Sequence, residues 1–470
     1  MLPQPEHTST DSRPILFSNG VHYAFNIQKL QREAHVLIGD LLRERDELYW
    51  KGKFLRDRDD YLERECSRLF QSAFPQAQVL RRVLYPDNAG NETEADVLFV
   101  ADGILMVVEC KAGRLDASSW RGGEKRLAKD MKETVACALN QAERFVTELV
   151  RRGSMVVQSD DHASLRISAD QFSRIFSVSV TLELVSCASM TLWELRDAGL
   201  IADTSRSWSV NLNDLRVILE ILDRPDLFFH YLVRRLDTNS LRTVEAGDEL
   251  DYLMHYVEKG LFFREANSPG NSEQIMIGNW TDPLDQYYRR VQEGSARRRD
   301  KPRVFLGKQT ERVMNILFRQ KPTGWLLGCI EILEFDVPVR EELFGKLSKH
   351  LEILMRNDSP FAFSFVANFE SATGIAVVTS RAPVRVRNLV IARAEQHCKD
   401  HKIGYLWVFL FGVPLSTATC EVLKVGSSIA NGPEDPLLAQ LRFETLEFRL
   451  RDRCGKNCEN DDEQNQPPES

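Results

Sequence analysis

An Asp-Gly pair between two apolar runs is the feature that most constrains how this chain can fold. Residues 94–101 and 104–111 flank Asp102 and Gly103, and both runs are rich in β-branched and other apolar side chains. A two-residue type I′ turn needs positive φ at both central positions, which Asp and Gly adopt readily. The sequence therefore predicts a β-hairpin in which Ala101 faces Ile104.

This register places Asp96 opposite Glu109 and Glu94 opposite Lys111. Alternate residues share a face of a strand, so all four polar side chains project from one end of one face. Opposed side chains have Cβ atoms roughly 5 Å apart. Two carboxylates at that separation raise each other's pKa, and a divalent cation between them removes the repulsion. The other positions are apolar on both faces, which is typical of a central strand pair covered on both sides.

Asp96, followed at the end of the next strand by Glu109-Cys110-Lys111, resembles the PD-(D/E)xK motif of restriction-endonuclease-like nucleases. The surrounding segment is similar to the nuclease-related (NERD) branch of that superfamily. The resemblance covers about residues 55–185, and the family's proline before the first Asp is Ala95 here. It implies a core of a helix, three strands, a helix and a further strand.

The resemblance also implies the residues of the site. An acid on the first helix is expected to complete the metal site, and Glu63 is the choice, with Glu65 as the alternative. Gln141 fits a glutamine that the family often places on the helix after the hairpin, although packing alone would also explain it. The implied metal ligands are Glu63, Asp96, Glu109 and Cys110, the last through its carbonyl. The implied catalytic residues are Asp96, Glu109, Lys111 and Gln141.

The expected function is hydrolysis of phosphodiester bonds in nucleic acid, with DNA as the expected substrate and Mg²⁺ as the cofactor, Mn²⁺ being an alternative. Five basic residues after the motif are expected to contact phosphates: Arg114, Arg121, Lys125, Arg126 and Lys129. Two alternatives remain open. The acids could be solvated charges at an exposed strand end, or the fold could be catalytically silent and serve as a nucleic-acid or protein binding or sensing module.

Composition limits the remaining function classes. The chain has 69 acidic and 61 basic residues, so its net charge of −8 argues against a general affinity for nucleic acid and favours local contacts. Nine scattered cysteines fit free thiols in a reducing cytosol. The sequence has no apolar signal core and no apolar run near the roughly 20 residues of a membrane helix. It also has no Walker loop, so neither a membrane nor ATP is an expected partner.

The predicted fold class is α/β, with a mixed sheet flanked by helices in a restriction-endonuclease-like core, an N-terminal helical segment and a second, α+β C-terminal domain. The predicted divisions are a disordered tail (1–20), the helical segment (21–54), the nuclease-like domain with a helical extension (55–264), a linker (265–283), the C-terminal domain of unknown role (284–452) and a disordered acidic tail (453–470). The helical segment either packs on the core or forms a homodimer. Within the C-terminal domain, residues 325–333 are predicted as a strand.

Two other patterns have weaker functional interpretations. His397 and His401 are spaced to share one helical face, which can bind zinc, but no further ligand pair accompanies them and an ordinary helix surface is the favoured interpretation. The basic residues between 289 and 303 could contact phosphates, although a solvated linker explains them more simply.

Overall fold

The described part of this chain is built mainly on a seven-stranded and a four-stranded β-sheet, with helices packed against them. The structure, a computed structural model, describes residues 15–24, 27–113, 119, 124–183, 191–202, 207–263, 274–356, 360–368, 372–413 and 419–426. Two of the predicted phosphate-binding residues, Arg114 and Arg121, lie outside these ranges, as does the predicted acidic tail at 453–470. Within them the fold is mixed α/β, as the sequence predicts.

The first described residues form a hairpin, so the disorder predicted for residues 1–20 is wrong for residues 15–20; residues 1–14 lie outside the described ranges. Strands β1 (Ile15–Ser18) and β2 (Val21–Ala24) pair antiparallel around Asn19 and Gly20, both of which have positive φ. Asn-Gly is a preferred pair for a two-residue type I′ turn. The turn signal was therefore present in a segment whose prolines favoured disorder.

A nearly continuous helical run leads from this hairpin to the main sheet. Helix α1 (Ile27–Arg45) is followed by a short helical turn, a π-helical segment (Trp50–Phe54) and helix α2 (Leu55–Ala73). Gly52 lies inside the π-helical segment, and the run continues through it. Ile38 and Leu41 of α1 are exposed apolar residues. Pairing of two copies through this segment stays a prediction.

The central sheet has seven strands. They are β3 (Gln78–Pro86), β4 (Glu92–Ala101), β5 (Ile104–Lys111), β6 (Ser154–Gln158), β7 (Ser164–Ser168), β8 (Arg174–Thr181) and β9 (Ser207–Asn211). Their order in the sheet is β7-β6-β3-β4-β5-β8-β9. Pairs from β7 to β5 are antiparallel, and β8 and β9 continue parallel to β5. The predicted hairpin is therefore central, whereas β6 and β7 were not predicted.

The hairpin turn and its register are confirmed for five residue pairs. Asp102 has a φ of 38° and Gly103 a φ of 81°, as a type I′ turn requires. Ala101 faces Ile104, and the ladder continues in step to the pair of Val97 and Val108. This register could be predicted from the sequence alone, because a two-residue turn sets which residues of the two strands are paired.

Helices cover both faces of this sheet. After α2 they are α3 (Glu124–Met131), α4 (Cys137–Arg152), α5 (Leu192–Asp197), α6 (Leu212–Ile221), α7 (Pro225–Ser240) and α8 (Glu249–Lys259). A π-helical segment, Lys132–Ala136, joins α3 to α4. On one face Cys66 and Phe70 of α2 share a buried cluster with Phe99 of β4. On the other face Phe145 of α4 packs with Val107 of β5.

The predicted linker at 265–283 contains regular structure where it is described. Strand β11 (Ile275–Ile277) pairs parallel with β10 (Val244–Ala246), and helix α9 (Asp282–Gln292) begins before the predicted linker ends. The backbone amide of Trp280 also donates to Asp251, 3.0 Å away. These contacts hold the segment against α8.

The C-terminal region is α+β, and the strands of its four-stranded sheet lie side by side in the order in which they occur in the sequence. Its elements are α10 (Lys308–Gln320), α11 (Trp325–Leu333), α12 (Val337–Gly345), α13 (Leu347–Arg356), β12 (Ala362–Asn368), β13 (Thr373–Ser380), α14 (Pro383–Asp400), β14 (Tyr405–Gly412) and β15 (Cys420–Gly426). The strand predicted at 325–333 is wrong, because that segment is α11. All nine of its residues are buried, so their apolar run carries no helical period.

The C-terminal region and the central sheet share one buried core. A single cluster of apolar side chains includes Phe99 of β4, Leu327 of α11 and Phe409 of β14. Arg174 at the start of β8 forms an ion pair with Glu331 of α11 at 3.0 Å. In the described part of the chain, no helix combines the length and apolarity needed to cross a membrane.

Candidate active site

The open end of the β4–β5 hairpin brings together the predicted acids, with one change from the predicted geometry. The regular ladder ends at Val97 and Val108, one pair before Asp96 and Glu109. There, Oδ2 of Asp96 accepts a hydrogen bond of 2.7 Å from the backbone amide of Cys110. The two carboxyl groups remain electrostatic neighbours, because the charge of Asp96 raises the pKa of Glu109.

Glu109 is the most unusual group at this end. Its side chain is 2% exposed, and its Oε1 has no hydrogen-bonding partner. Burial raises the pKa of this carboxyl well above its usual value, the charge of Asp96 raises the pKa further, and Lys111 acts in the opposite direction. A buried acid with an unsatisfied oxygen favours binding either a proton or a cation.

Lys111 ends the strand beside this acid. Its Nζ lies 4.0 Å from Oε2 of Glu109, and its side chain is 24% exposed. The ammonium group can therefore reach both the acids and solvent. The β4–β5 ladder ends before Glu94 and Lys111, so the predicted pair is not part of it. On its β3 side Glu94 pairs with Leu84, and its strongest charged neighbours are Asp96 and Arg82.

Helix α2 supplies the acid that the sequence assigned to it, although an arginine already contacts it. Glu63 is buried, and its Oε2 accepts a 2.8 Å hydrogen bond from Nε of Arg82. Burial raises the pKa of Glu63, Arg82 lowers it, and Asp96 raises it. Arg82 has a φ of 49° inside β3, a left-handed conformation that is rare in a strand and lies opposite Asp96 in the β3–β4 register.

Glu65, the alternative first-helix acid, is not part of the site. It pairs with Arg68 at 2.7 Å and with Arg216 at 3.0 Å. The hydrogen bond from Arg68 lowers the pKa of Glu65 to about 2. Glu63 and Glu65 are two positions apart on a helix, so they point in different directions, and only Glu63 faces the sheet end.

Asp59 is an acid of this site that the sequence analysis missed. Burial raises its pKa, Arg58 and Lys111 lower it, and Asp96 raises it. Asp59 lies one turn before Glu63, so both acids occupy the same face of α2. The i, i+4 spacing of two acids before the motif was a signal that could have identified it.

Helix α4 covers the site from the other face of the sheet. Oε1 of Gln141 is buried and has no hydrogen-bonding partner. Arg144, one turn later, donates from Nε to the hydroxyl of Tyr85 at 3.3 Å and from Nη2 to Oγ1 of Thr93 at 3.1 Å. The side chain of Cys110 points to the opposite face and contacts Cys66 of α2, so only its backbone is available to a metal.

The predicted phosphate-binding residues that are described lie on α3. Lys125 is exposed. Arg126 pairs with Asp130 at 3.1 Å, and Lys129 pairs with Glu133 at 3.6 Å, in both cases one turn along the same helix. Contact with nucleic acid through these residues stays a prediction.

The two weaker patterns have structural explanations. His397 is buried between Phe363 and Phe365, with ring centroids 5.1 Å and 4.5 Å away, and burial lowers its pKa to about 4. It is thus a core residue rather than part of a helix surface. In the basic run, Arg290 pairs with Asp300 at 2.6 Å and Lys301 with Asp223 at 2.7 Å.

The residues at the hairpin end fit a divalent cation that water helps to coordinate. Among the described residues, no group of three or more His, Cys, Asp or Glu side chains is arranged to hold a metal ion alone. The neighbouring carboxyl groups of Asp96 and Glu109 nevertheless offer hard oxygen donors, and Oε1 of Glu109 lacks a partner. Mg²⁺ commonly binds one or two carboxylates and keeps several waters.

Comparison with known proteins gives little further information. No protein-family model matches the chain, and no curated protein matches it. Among solved structures, the small subunit of the heterodimeric restriction endonuclease R.BspD6I is similar at 12% sequence identity. The similarity covers 38% of this chain and 88% of that chain, with a TM-score of 0.14. A TM-score this low does not define a shared fold.

Proposed function

We propose that this protein is a metal-dependent nuclease of the PD-(D/E)xK type, similar to the NERD branch, with DNA as its substrate. One observation carries the proposal. Glu109 is buried with an unpartnered carboxylate oxygen, with the charge of Asp96 acting on it and Lys111 beside it. Such a group destabilises the folded protein unless a ligand occupies it, and perturbed groups of this kind cluster at functional sites.

The element order also fits the proposal. Helix α2 precedes three strands, helices α3 and α4 follow, and β8 then returns parallel to β5. This is the order implied by the resemblance, with the hairpin β6–β7 inserted before β8. Asp59 and Glu63 extend the acidic centre from α2 toward Asp96.

Each residue then has a role in phosphodiester hydrolysis. Asp96 and Glu109 would hold Mg²⁺, with the Cys110 carbonyl and waters as further ligands. When bound, the ion supplies Lewis-acid polarisation of the phosphate and a more acidic water. Lys111 orients the attacking water and stabilises the negative charge that develops on the phosphate. Water forms the new P–O bond and gives up a proton to solvent, while the bond to the leaving sugar oxygen breaks and that oxygen takes a proton from solvent.

A second function is favoured by a separate observation. The described acids include no complete group of three metal-binding side chains, and Arg82 already pairs with Glu63. A catalytically silent fold that binds nucleic acid or protein would tolerate this arrangement. Binding that persists in EDTA, without cleavage, would support this function.

Cleavage of supercoiled plasmid, linear duplex and single-stranded DNA in Mg²⁺ or Mn²⁺ tests the proposal. We expect the wild type to cleave at least one substrate and to stop in EDTA. The Asp96→Asn variant should lose this activity, because an amide is a weaker metal ligand than a carboxylate. Metal-dependent cleavage that persists in a purified Asp96→Asn variant would reject the assignment, and calorimetry would show whether the wild type binds the metal.

A further inference from the structure

Arg144 is an accessible cation held beside the acidic centre. Its guanidinium donates to the hydroxyl of Tyr85 at 3.3 Å and to the hydroxyl of Thr93 at 3.1 Å. Tyr85 and Thr93 are directly opposed in the β3–β4 ladder. Two neutral groups on adjacent strands therefore fix the direction of the guanidinium, and Arg144 itself remains exposed to solvent.

The other arginines at this end of the sheet pair with acids. Arg82 pairs with Glu63, Arg81 with Asp160, and Arg58 with Glu183. In the described residues, no carboxylate lies within ion-pair distance of Arg144. Its hydrogen bonds leave its positive charge uncompensated by a direct partner. An arginine with a fixed orientation and an uncompensated charge is suited to bind an anion.

The charge of Arg144 acts on the same centre as the proposed metal. The hydrogen bond with Tyr85 raises the pKa of Arg144, and the charge of Glu109 raises it further. Arg144 in turn lowers the pKa of Glu109. The guanidinium is thus an electrostatic neighbour of Glu109, and it follows Gln141 by one turn of α4.

We propose that Arg144 binds a non-bridging oxygen of the scissile phosphate in the nucleic acid that this site cleaves. The proposal rests on the proposed nuclease function. Lys111 and Arg144 would then contact the phosphate from the strand end and from α4. A guanidinium presents several N–H donors in one plane, so it can keep Tyr85 and Thr93 as anchors while another N–H faces the substrate.

Steady-state cleavage by an Arg144→Gln variant tests this role. We expect kcat/KM to fall about 10²-fold, as when one donor to a developing negative charge is removed. Arg144→Lys should recover part of the loss, because it keeps the charge without the guanidinium geometry. Arg151→Gln is the matched control: Arg151 is on the same helix but pairs with Glu148, and its loss should leave cleavage unchanged.

Measuring metal affinity distinguishes a role of Arg144 in binding substrate from a purely structural role. Mg²⁺ or Mn²⁺ affinity, measured by calorimetry without DNA, should be retained or increased in Arg144→Gln, since removing a nearby positive charge favours a cation. A purely structural role for Arg144 would weaken metal binding and lower the thermal midpoint together.

The outcomes distinguish this proposal from the nuclease proposal. If the wild type cleaves and Arg144→Gln cleaves equally well, only the role of Arg144 is rejected. If the wild type neither cleaves nor binds metal, both proposals are rejected. Loss of cleavage with intact metal affinity supports both.

Discussion

The two ends of the β4–β5 hairpin carry carboxyl groups that differ in hydrogen bonding, a half-buried one at the turn and a buried one at the open end. At the turn, Oδ1 and Oδ2 of Asp102 accept hydrogen bonds of 2.7 Å from the backbone amides of Gly324 and Leu326, at the start of α11. At the open end, Oε1 of Glu109 has no partner. Burial raises the pKa of both groups. Burial alone therefore does not separate the two groups, whereas their hydrogen-bonding partners do.

The turn end also shows how tightly the C-terminal region is joined to the hairpin. A Cβ on Gly103 would lie 2.9 Å from Cδ1 of Leu327, so glycine is needed there both for its positive φ and for this close approach. Asp102 caps the first turn of α11, where free amides prefer an anionic acceptor. Rigid attachment at one end positions the open end, which is the arrangement that a preorganised site requires.

Among substitutions at the two ends of the hairpin, we expect the largest effect on the cleavage rate at Lys111. Lys111→Ala should lower kcat for metal-dependent cleavage by about 10²–10³-fold, because it removes the cation that stabilises the developing charge. Lys132→Ala is the matched control, since Lys132 belongs to another Asp-x-Lys tripeptide, Asp130-Met131-Lys132, and is exposed. Equal rates for wild type and Lys111→Ala in a plasmid cleavage assay would contradict the proposed role.

At the turn end we expect a smaller effect, on stability rather than on chemistry. Asp102→Ala leaves two amides of α11 without their acceptor and should lower the free energy of unfolding by about 2 kcal/mol. Asp102→Asn should lower the free energy of unfolding by a smaller amount, because the side-chain amide oxygen still accepts one hydrogen bond. Urea denaturation measures both. A large loss of kcat in folded Asp102→Asn, with unchanged stability, would show that the two ends do not differ as described.

Local sequence signals predicted the β4–β5 hairpin and its register well, and the long-range contacts around it poorly. The Asp-Gly turn fixed the register, and the position of Glu63 followed from the resemblance. The cap of α11 could not be predicted, because Asp102 and Gly324 are 222 residues apart. The apolar run at 325–333 looked like a strand because a helix buried on all sides has no polar face. Pairing of Glu63 with Arg82 likewise depends on a left-handed residue that nothing local indicates.

The smallest effect that we predict is the change in stability of the metal-free protein when Glu109 is substituted. Because the folded pKa is raised above the ordinary value of 4.5, the native state binds more protons than the unfolded state in the pH range above 4.5. Stability contributed by this group is therefore present at low pH and falls as the pH rises through the folded pKa. Glu109→Gln should flatten this decline and raise the free energy of unfolding at pH 8 by about 1 kcal/mol.

The two ends of the hairpin differ most clearly in the sign of the change in unfolding free energy expected for substitutions at Glu109 and at Asp102. In urea titrations at pH 5 and pH 8, Glu109→Gln should stabilise the metal-free protein at pH 8, whereas Asp102→Asn should destabilise it at both pH values. Saturating Mg²⁺ should reverse the first difference, because only the wild type gains stability from the bound ion, about 2.7 kcal/mol at 100 times Kd. If Glu109→Gln instead destabilises the metal-free protein as Asp102→Asn does, Glu109 is a satisfied structural acid and the observation that carries the nuclease proposal is lost.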